Sequence, residues 1–226
     1  SEGIREMRIS LPRVDEGEAV ALRGASQVRV LTLPPGIEWM TEDGTPHMFV
    51  RECWEQLYSI VLGKMETRAG TKGEGVVVSG NPGIGKSWFL SYAMFRTARD
   101  EPHRAVVFES VAQGKLWVFR ADGGVRVEED WTKRNRIREL DDASTVYLFD
   151  PAGHGTGETR EPYRCRAFTI VASSPNPNHY KDFLKHGGKK LVMAPWVRTE
   201  LLAAAPFVLG APDAREVERR YLRHGG

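Results

Sequence analysis

The chain has 226 residues, a formal net charge of +2, 41% hydrophobic and 27% charged residues, which is ordinary for a globular protein and long enough for one α/β domain with an N-terminal elaboration. The near-neutral charge balance gives no global pull toward nucleic acid or an anionic membrane. No apolar run reaches membrane-spanning length, no signal-peptide core is present, and Cys53 and Cys165 lack metal-ligand spacing, so both thiols are expected to stay reduced in an intracellular protein.

Residues 1–45 are rich in charge and turns, and Ser1 in place of Met points to a processed or partial chain. One strand is predicted at 28–33, ended by Pro34-Pro35-Gly36. A helix is predicted over 46–64, where Val50, Trp54, Leu57 and Val61 recur at helical spacing as a packing face and Pro46 suits the first turn. Residues 68–74 form a Gly/Lys linker. These elements make an N-terminal elaboration over 1–70, packed on a core domain over 71–226, with no internal repeat.

Gly75-Val76-Val77-Val78-Ser79 reads as a short buried strand running into Gly80-Asn81-Pro82-Gly83-Ile84-Gly85-Lys86-Ser87, which fits the Walker A pattern G-x-x-x-x-G-K-[ST]. Residues 87–99 then read as a helix that is apolar on nearly every face through Trp88, Phe89, Leu90, Tyr92, Ala93, Met94 and Phe95. Strand, glycine loop and buried helix in that order are the context the motif requires. The glycines let successive N–H groups turn inward toward phosphates. Lys86 suits the β/γ-phosphates, the Ser87 hydroxyl suits Mg²⁺, and the helix start faces the anion. The expected nucleotide contacts are Gly80, Asn81, Pro82, Gly83, Ile84, Gly85, Lys86, Ser87 and the adjoining Trp88.

Downstream, 105–109 is a predicted strand ending in Glu109, and 116–119 and 125–127 form a hairpin across Ala121-Asp122-Gly123-Gly124. The basic run Lys133, Arg134, Arg136 and Arg138 is flanked by Glu128, Glu129, Asp130, Glu139, Asp141 and Asp142, so it reads as a solvated helix face rather than a nucleic-acid patch. Val146-Tyr147-Leu148-Phe149-Asp150 matches a Walker B strand, with Asp150 placed to hold Mg²⁺ through water. Pro151 follows, where many related ATPases carry a water-orienting Glu. Glu109 is one replacement for that base; His154 and Glu158, in the glycine-rich stretch after Pro151, are others.

A further apolar strand at 167–172 ends in Ser173-Ser174-Pro175-Asn176, where Ser173, Ser174 or Asn176 could hydrogen-bond a γ-phosphate or serve only the turn. Another strand is predicted at 190–194, with helices at 199–205 and 213–224.

The series Asn81-Pro82-Gly83-Ile84-Gly85-Lys86-Ser87 followed by Phe89-Leu90, the strand Leu148-Phe149-Asp150, Ser173-Ser174-Pro175-Asn176-Pro177-Asn178-His179-Tyr180, and Met193-Ala194-Pro195-Trp196 with Glu200-Leu201 resembles the NTPase domain of the Crinkler effectors and trypanosome retrotransposon hot spot proteins. The closing Arg219-Arg220-Tyr221-Leu222-Arg223-His224-Gly225-Gly226 is similar to a segment of that group, and the resemblance spans about 46–226. It implies an AAA+/STAND-type P-loop ATPase, commonly joined to a nuclease-like or kinase-like module and associated with a host nucleus. Relatives continue past Gly-Gly into a Pro-Arg pair, so the domain is expected to be truncated here, without that arginine or a C-terminal module.

The expected fold is α/β: a three-layer P-loop NTPase with a mostly parallel central sheet, an inserted hairpin and a partial C-terminal helical lid. The expected function is Mg²⁺-dependent binding and hydrolysis of ATP, with Lys86, Asp150 and Glu109 in catalytic roles, Ser87 and Asp150 on the metal, and Ser173 and Ser174 near the nucleotide. A nucleotide-dependent switch with slow turnover and a P-loop kinase remain as alternatives. Nucleotide is the expected partner, a membrane is not, and nucleic acid and oligomeric state stay open.

Overall fold

Long apolar strands alternating with buried helices favour a parallel sheet covered on both faces. The computed structural model, which describes residues 4–8, 15–16, 29–34, 36–41, 45–151, 160–208, 215–217, 219 and 221, has that architecture. In chain order the elements are β1 (Ile4–Arg8), β2 (Asp15–Glu16), β3 (Arg29–Thr32), β4 (His47–Val50), α1 (Glu52–Glu66), β5 (Gly75–Ser79), α2 (Lys86–Asp100), β6 (Val106–Ser110), β7 (Lys115–Phe119), β8 (Gly124–Glu128), β9 (Val146–Asp150), β10 (Phe168–Ser173), α3 (Lys181–Lys185), β11 (Gly188–Val192) and α4 (Arg198–Val208). The chain forms two compact units, one of Ser1–Leu11 with Leu57–Met193 and one of Pro12–Gln56 with Ala194–Gly226.

The first unit is built on an eight-stranded sheet of order β1-β8-β7-β6-β9-β10-β5-β11. β6, β9, β10, β5 and β11 run parallel, and β7, β8 and β1 extend the sheet antiparallel beyond β6. Every residue of β5, β6, β9 and β10 is buried, as strands covered on both faces require. Val77, Val107, Tyr147, Phe149 and Val171 pack on one face with Phe183 of α3 and Leu140. Pleating turns the alternate residues Val76, Val78, Leu148 and Ile170 to the other face. There α2 lies over β10, β9 and β6 and buries Phe89, Leu90, Tyr92 and Ala93. The result is a mixed α/β fold with helices on both sides of a mostly parallel sheet, and the hairpin of β7 and β8 stands where the turn residues predict it.

The second unit holds the antiparallel sheet β2-β3-β4. Phe49 of β4 packs on Ala203 and Ala204 of α4 and on Trp196. Arg51, only 1% exposed, donates to Ala194 O at 3.0 Å, Pro195 O at 2.7 Å and Glu200 Oε2 at 2.9 Å. Its guanidinium also lies 4.2 Å from the Trp196 ring centroid. Burying a cation is costly unless it is paired and hydrogen-bonded, and these partners supply that compensation.

Two expectations change in detail. The helix predicted from Pro46 begins at Glu52, because His47–Val50 is a strand paired to β3 with Leu31 opposite Met48. Val50 falls on the helical spacing by coincidence and is buried through the sheet instead. The basic run is held in short 3-10 turns at Trp131–Arg136 and Arg138–Asp141 rather than a regular helix, the first capped by the Asp130 side chain accepting from Thr132 N–H. Of the helix expected over 213–224, only 215–217, 219 and 221 are described, as helical.

Candidate functional site

β5 ends at Ser79, and the glycine loop leads from it into α2. β10 pairs with β5 so that Ser173 is level with Ser79, and with β9 so that Val171 is level with Phe149. The ends of β5, β10 and β9 therefore open together on one edge of the sheet. From β5 the chain crosses past β10 and β9 to β6; from β10 it crosses past β5 to β11. Adjacent strands that send their connections in opposite directions leave a crevice at their C-terminal ends, where open α/β sheets bind ligands.

The loop is shaped by its glycines. Gly85 takes the left-handed conformation, φ 87° and ψ 29°, immediately before α2. A Cβ on Gly80 would stand 2.4 Å from Ile84 Cδ1 and 3.2 Å from Met193 O, so any other residue there would push the Ile84 side chain aside and crowd the Met193 carbonyl. Ile84, 2% exposed, anchors the loop from below while Asn81, Pro82 and Gly83 face solvent. The start of α2 has no side-chain cap and no acidic residue in its first turn. A helix start of this kind presents backbone N–H groups and the positive dipole end to an anion.

Lys86 curls over the loop, its Nζ donating to Asn81 O at 2.6 Å. Partial burial pulls its ammonium below the usual lysine range, and the Asp150 carboxylate opposes that shift. Asp150 reaches this place by pleat phase: it alternates with Phe149 and so points to the α2 face. Ser87 and Trp88, both half-buried, follow Lys86 in the first turn of α2. The fold thus gathers the glycine loop, Lys86, Ser87, Asp150 and the Ser173-Ser174 strand end. Among the described residues no group of three His, Cys, Asp or Glu side chains is placed to hold a metal. The Ser87 hydroxyl and the Asp150 carboxylate are hard oxygen donors of the kind Mg²⁺ takes, an ion that keeps several waters and needs few protein ligands.

Glu109 is placed elsewhere. On β6 it is level with Phe149, whereas Ser110 is level with Asp150, so Glu109 points to the face opposite Asp150. Its carboxylate is 1% exposed and accepts from Tyr147 OH at 2.5 Å and from Arg134 Nη1 at 3.2 and 3.4 Å. Burial pushes the Glu109 carboxyl up, opposed by the Arg134 charge and by the Tyr147 hydrogen bond. Burial also raises the Tyr147 hydroxyl well above its usual range, reinforced by the Glu109 charge. This geometry makes Glu109 part of an ion pair that ties β6, β9 and the turn at Trp131–Arg136 together, not a group beside Lys86.

Two predictions follow from that pair. Arg134→Met should cost about 3–5 kcal/mol in urea unfolding, because it strands a buried carboxylate; a loss below that of Glu109→Gln would mean the pair is not what holds the turn. Since the folded Glu109 value lies above the unfolded one of about 4.3, its contribution is fully present below that pH and is lost as pH rises through the folded value. Glu109→Gln should therefore flatten the fall in stability on the alkaline side of pH 4.3, roughly; an unaltered slope would place the titration on another group.

His154 and Glu158 lie outside the described residues. Ser173 Oγ bonds Ser174 O at 3.0 Å and His179 Nδ1 at 3.1 Å, while Asn176 is exposed at the strand's exit. The sequence gives His179 no role; the signal available was its position three residues after Asn176 at the end of the Pro177–His179 turn. Among the described residues no helix is long and apolar enough to cross a membrane. No protein-family model and no curated protein matches the chain.

Proposed function

We propose that the chain is a P-loop ATPase domain that binds ATP with Mg²⁺ and hydrolyses the γ-phosphate. The observation that carries this reading is the placement of Lys86 and Asp150 on one face at the C-terminal edge of a parallel sheet, where a glycine loop opens a buried helix. The phosphates would take the N–H groups of the loop and of the first turn of α2. Lys86 would exchange Asn81 O for oxygens of the β- and γ-phosphates. Ser87 and Asp150 would hold Mg²⁺, Asp150 through water. The ion, when bound, neutralises charge on the β/γ oxygens. The share of the protein itself is electrostatic: donors fixed in place before charge develops on the transferring group. The ordered motifs from the glycine loop to Pro195-Trp196 support membership of the Crinkler group, by resemblance.

A second reading, a nucleotide-dependent switch with slow turnover, is favoured by two particulars. Pro151 follows Asp150 and has no acid–base group, and Glu109 is committed to Arg134 and Tyr147. Equilibrium binding of a fluorescent ATP analogue, run beside phosphate release with and without Mg²⁺, separates the two. Mg²⁺-dependent release that disappears in Lys86→Ala supports the enzyme. Tight binding without release supports the switch, and no nucleotide binding rejects both.

A further inference from the structure

β11 ends the eight-stranded sheet, with β5 on one side of it and, among the described residues, no strand on the other. Its register with β5 decides which of its backbone groups are engaged. Met193 N–H donates to Ser79 O at 2.8 Å. In a parallel ladder alternate residues bond the same neighbour, so Leu191 and Lys189 also turn their N–H and C=O groups to β5. Lys190 and Val192 turn theirs the other way, along the open edge. Among the described residues neither of these two N–H groups has a partner.

The side chains along this edge divide by charge. Lys190 and Val192 are level with Val77 and Ser79, on the α3 face, while Lys189 and Leu191 are level with Val76 and Val78, on the α2 face. Both lysines are exposed and Leu191 is half-buried. Val192 is 71% exposed, more than any other large apolar residue among those described. Lys190 Nζ lies 5.7 Å from the Tyr180 ring centroid, and neither lysine has a carboxylate partner among the described residues. Lysines on an open edge discourage pairing with apolar or basic strands. They attract an acidic one, and Val192 then gains an apolar neighbour. A second copy of the chain fits poorly: antiparallel pairing centred on Lys190 sets Lys190 against Lys190, and like charges directly opposite are destabilising.

We propose that β11 is a docking edge that takes an extended acidic segment of a partner protein as an added strand. The segment carries two adjacent carboxylate residues level with Lys189 and Lys190, one on each face, and two adjacent apolar residues level with Leu191 and Val192. Its backbone pairs with the outward groups of Lys190 and Val192, which supply affinity while the side chains supply selection. The probes are the fluorescein-labelled peptide Thr-Glu-Glu-Val-Val-Thr and its reverse, Thr-Val-Val-Glu-Glu-Thr, which cover parallel and antiparallel addition. One of them should raise the anisotropy on titration with the full chain, and at saturation it should slow amide hydrogen exchange at Lys190 and Val192 by about tenfold or more. Lys189→Glu combined with Lys190→Glu should weaken that binding about tenfold. Lys190→Pro should abolish it and keep the fold, because only an outward N–H is lost; Leu191→Pro removes a bond to β5 and should lower the melting temperature. Should Lys190→Pro unfold, exchange in the wild-type chain and the doubly substituted chain decide. Unslowed exchange at Lys190 and Val192, unchanged binding to the doubly substituted chain, or no binding of either peptide at millimolar concentration overturns the proposal. A dimer in sedimentation that the double substitution disperses would give the edge to a second copy, and that overturns it too.

Discussion

Lys86→Ala should lower ATP affinity by about two to three orders of magnitude, because it removes the cation that the loop aims at several phosphate charges. The ammonium is half-buried and held over the loop by Asn81 O, so it is already oriented before a ligand arrives. Its lowered proton affinity, caused first by burial, shows an ammonium short of solvation, which a phosphate would relieve. The fold should tolerate the change: the side chain spans the loop surface, and alanine is a good residue for the first turn of α2. Calorimetric titration with Mg-ATP checks the affinity, and a thermal melt checks the fold. Wild-type affinity in a folded variant would remove Lys86 from the phosphate site.

Asp150→Asn should cut Mg²⁺-dependent turnover by about two to three orders of magnitude while ATP binding falls far less. Asparagine keeps the shape at a position 8% exposed, so packing at the end of β9 is preserved. What disappears is the negative charge that would hold a hydrated dication and that now sits opposite Lys86. Phosphate release measured across a Mg²⁺ titration reads the effect, and a wild-type rate at saturating Mg²⁺ would put the metal on another strand.

Much of the site is legible because it is local. Val76 to Ser79, the glycine loop and Phe89 to Ala93 announce strand, turn and buried helix within twenty residues, and Leu148 to Asp150 announces a strand with a carboxylate at its end. What the sequence misses depends on distant partners. Val50 satisfies a helical spacing, yet β3 claims it for a sheet. Glu109 ends a strand as expected, but which face it takes depends on β6 lying beside β9 and on the phase of the pleat. Its partner Arg134 lies 25 residues on, in a basic run that reads as solvated from composition alone. The contact of His179 with Ser173 is made from a 3-10 turn that Asn176 caps.

The Arg51 clamp has a consequence for synthesis. Its carbonyl partners at Ala194 and Pro195 lie 143 and 144 residues farther along the chain. At ribosomal rates, that separation is roughly seven to thirty seconds of elongation. During that interval Leu57–Met193 can assemble its sheet, while Val30 and Phe49 have yet to meet Trp196, Ala203 and Ala204 of their own unit. Closing such a long loop is entropically slow and raises contact order, so the second unit is expected to be the last to form. A nascent chain halted before residue 194 would carry a complete parallel sheet and an N-terminal segment with exposed apolar residues, which marks it for chaperone binding and gives the newly made protein a built-in order of assembly.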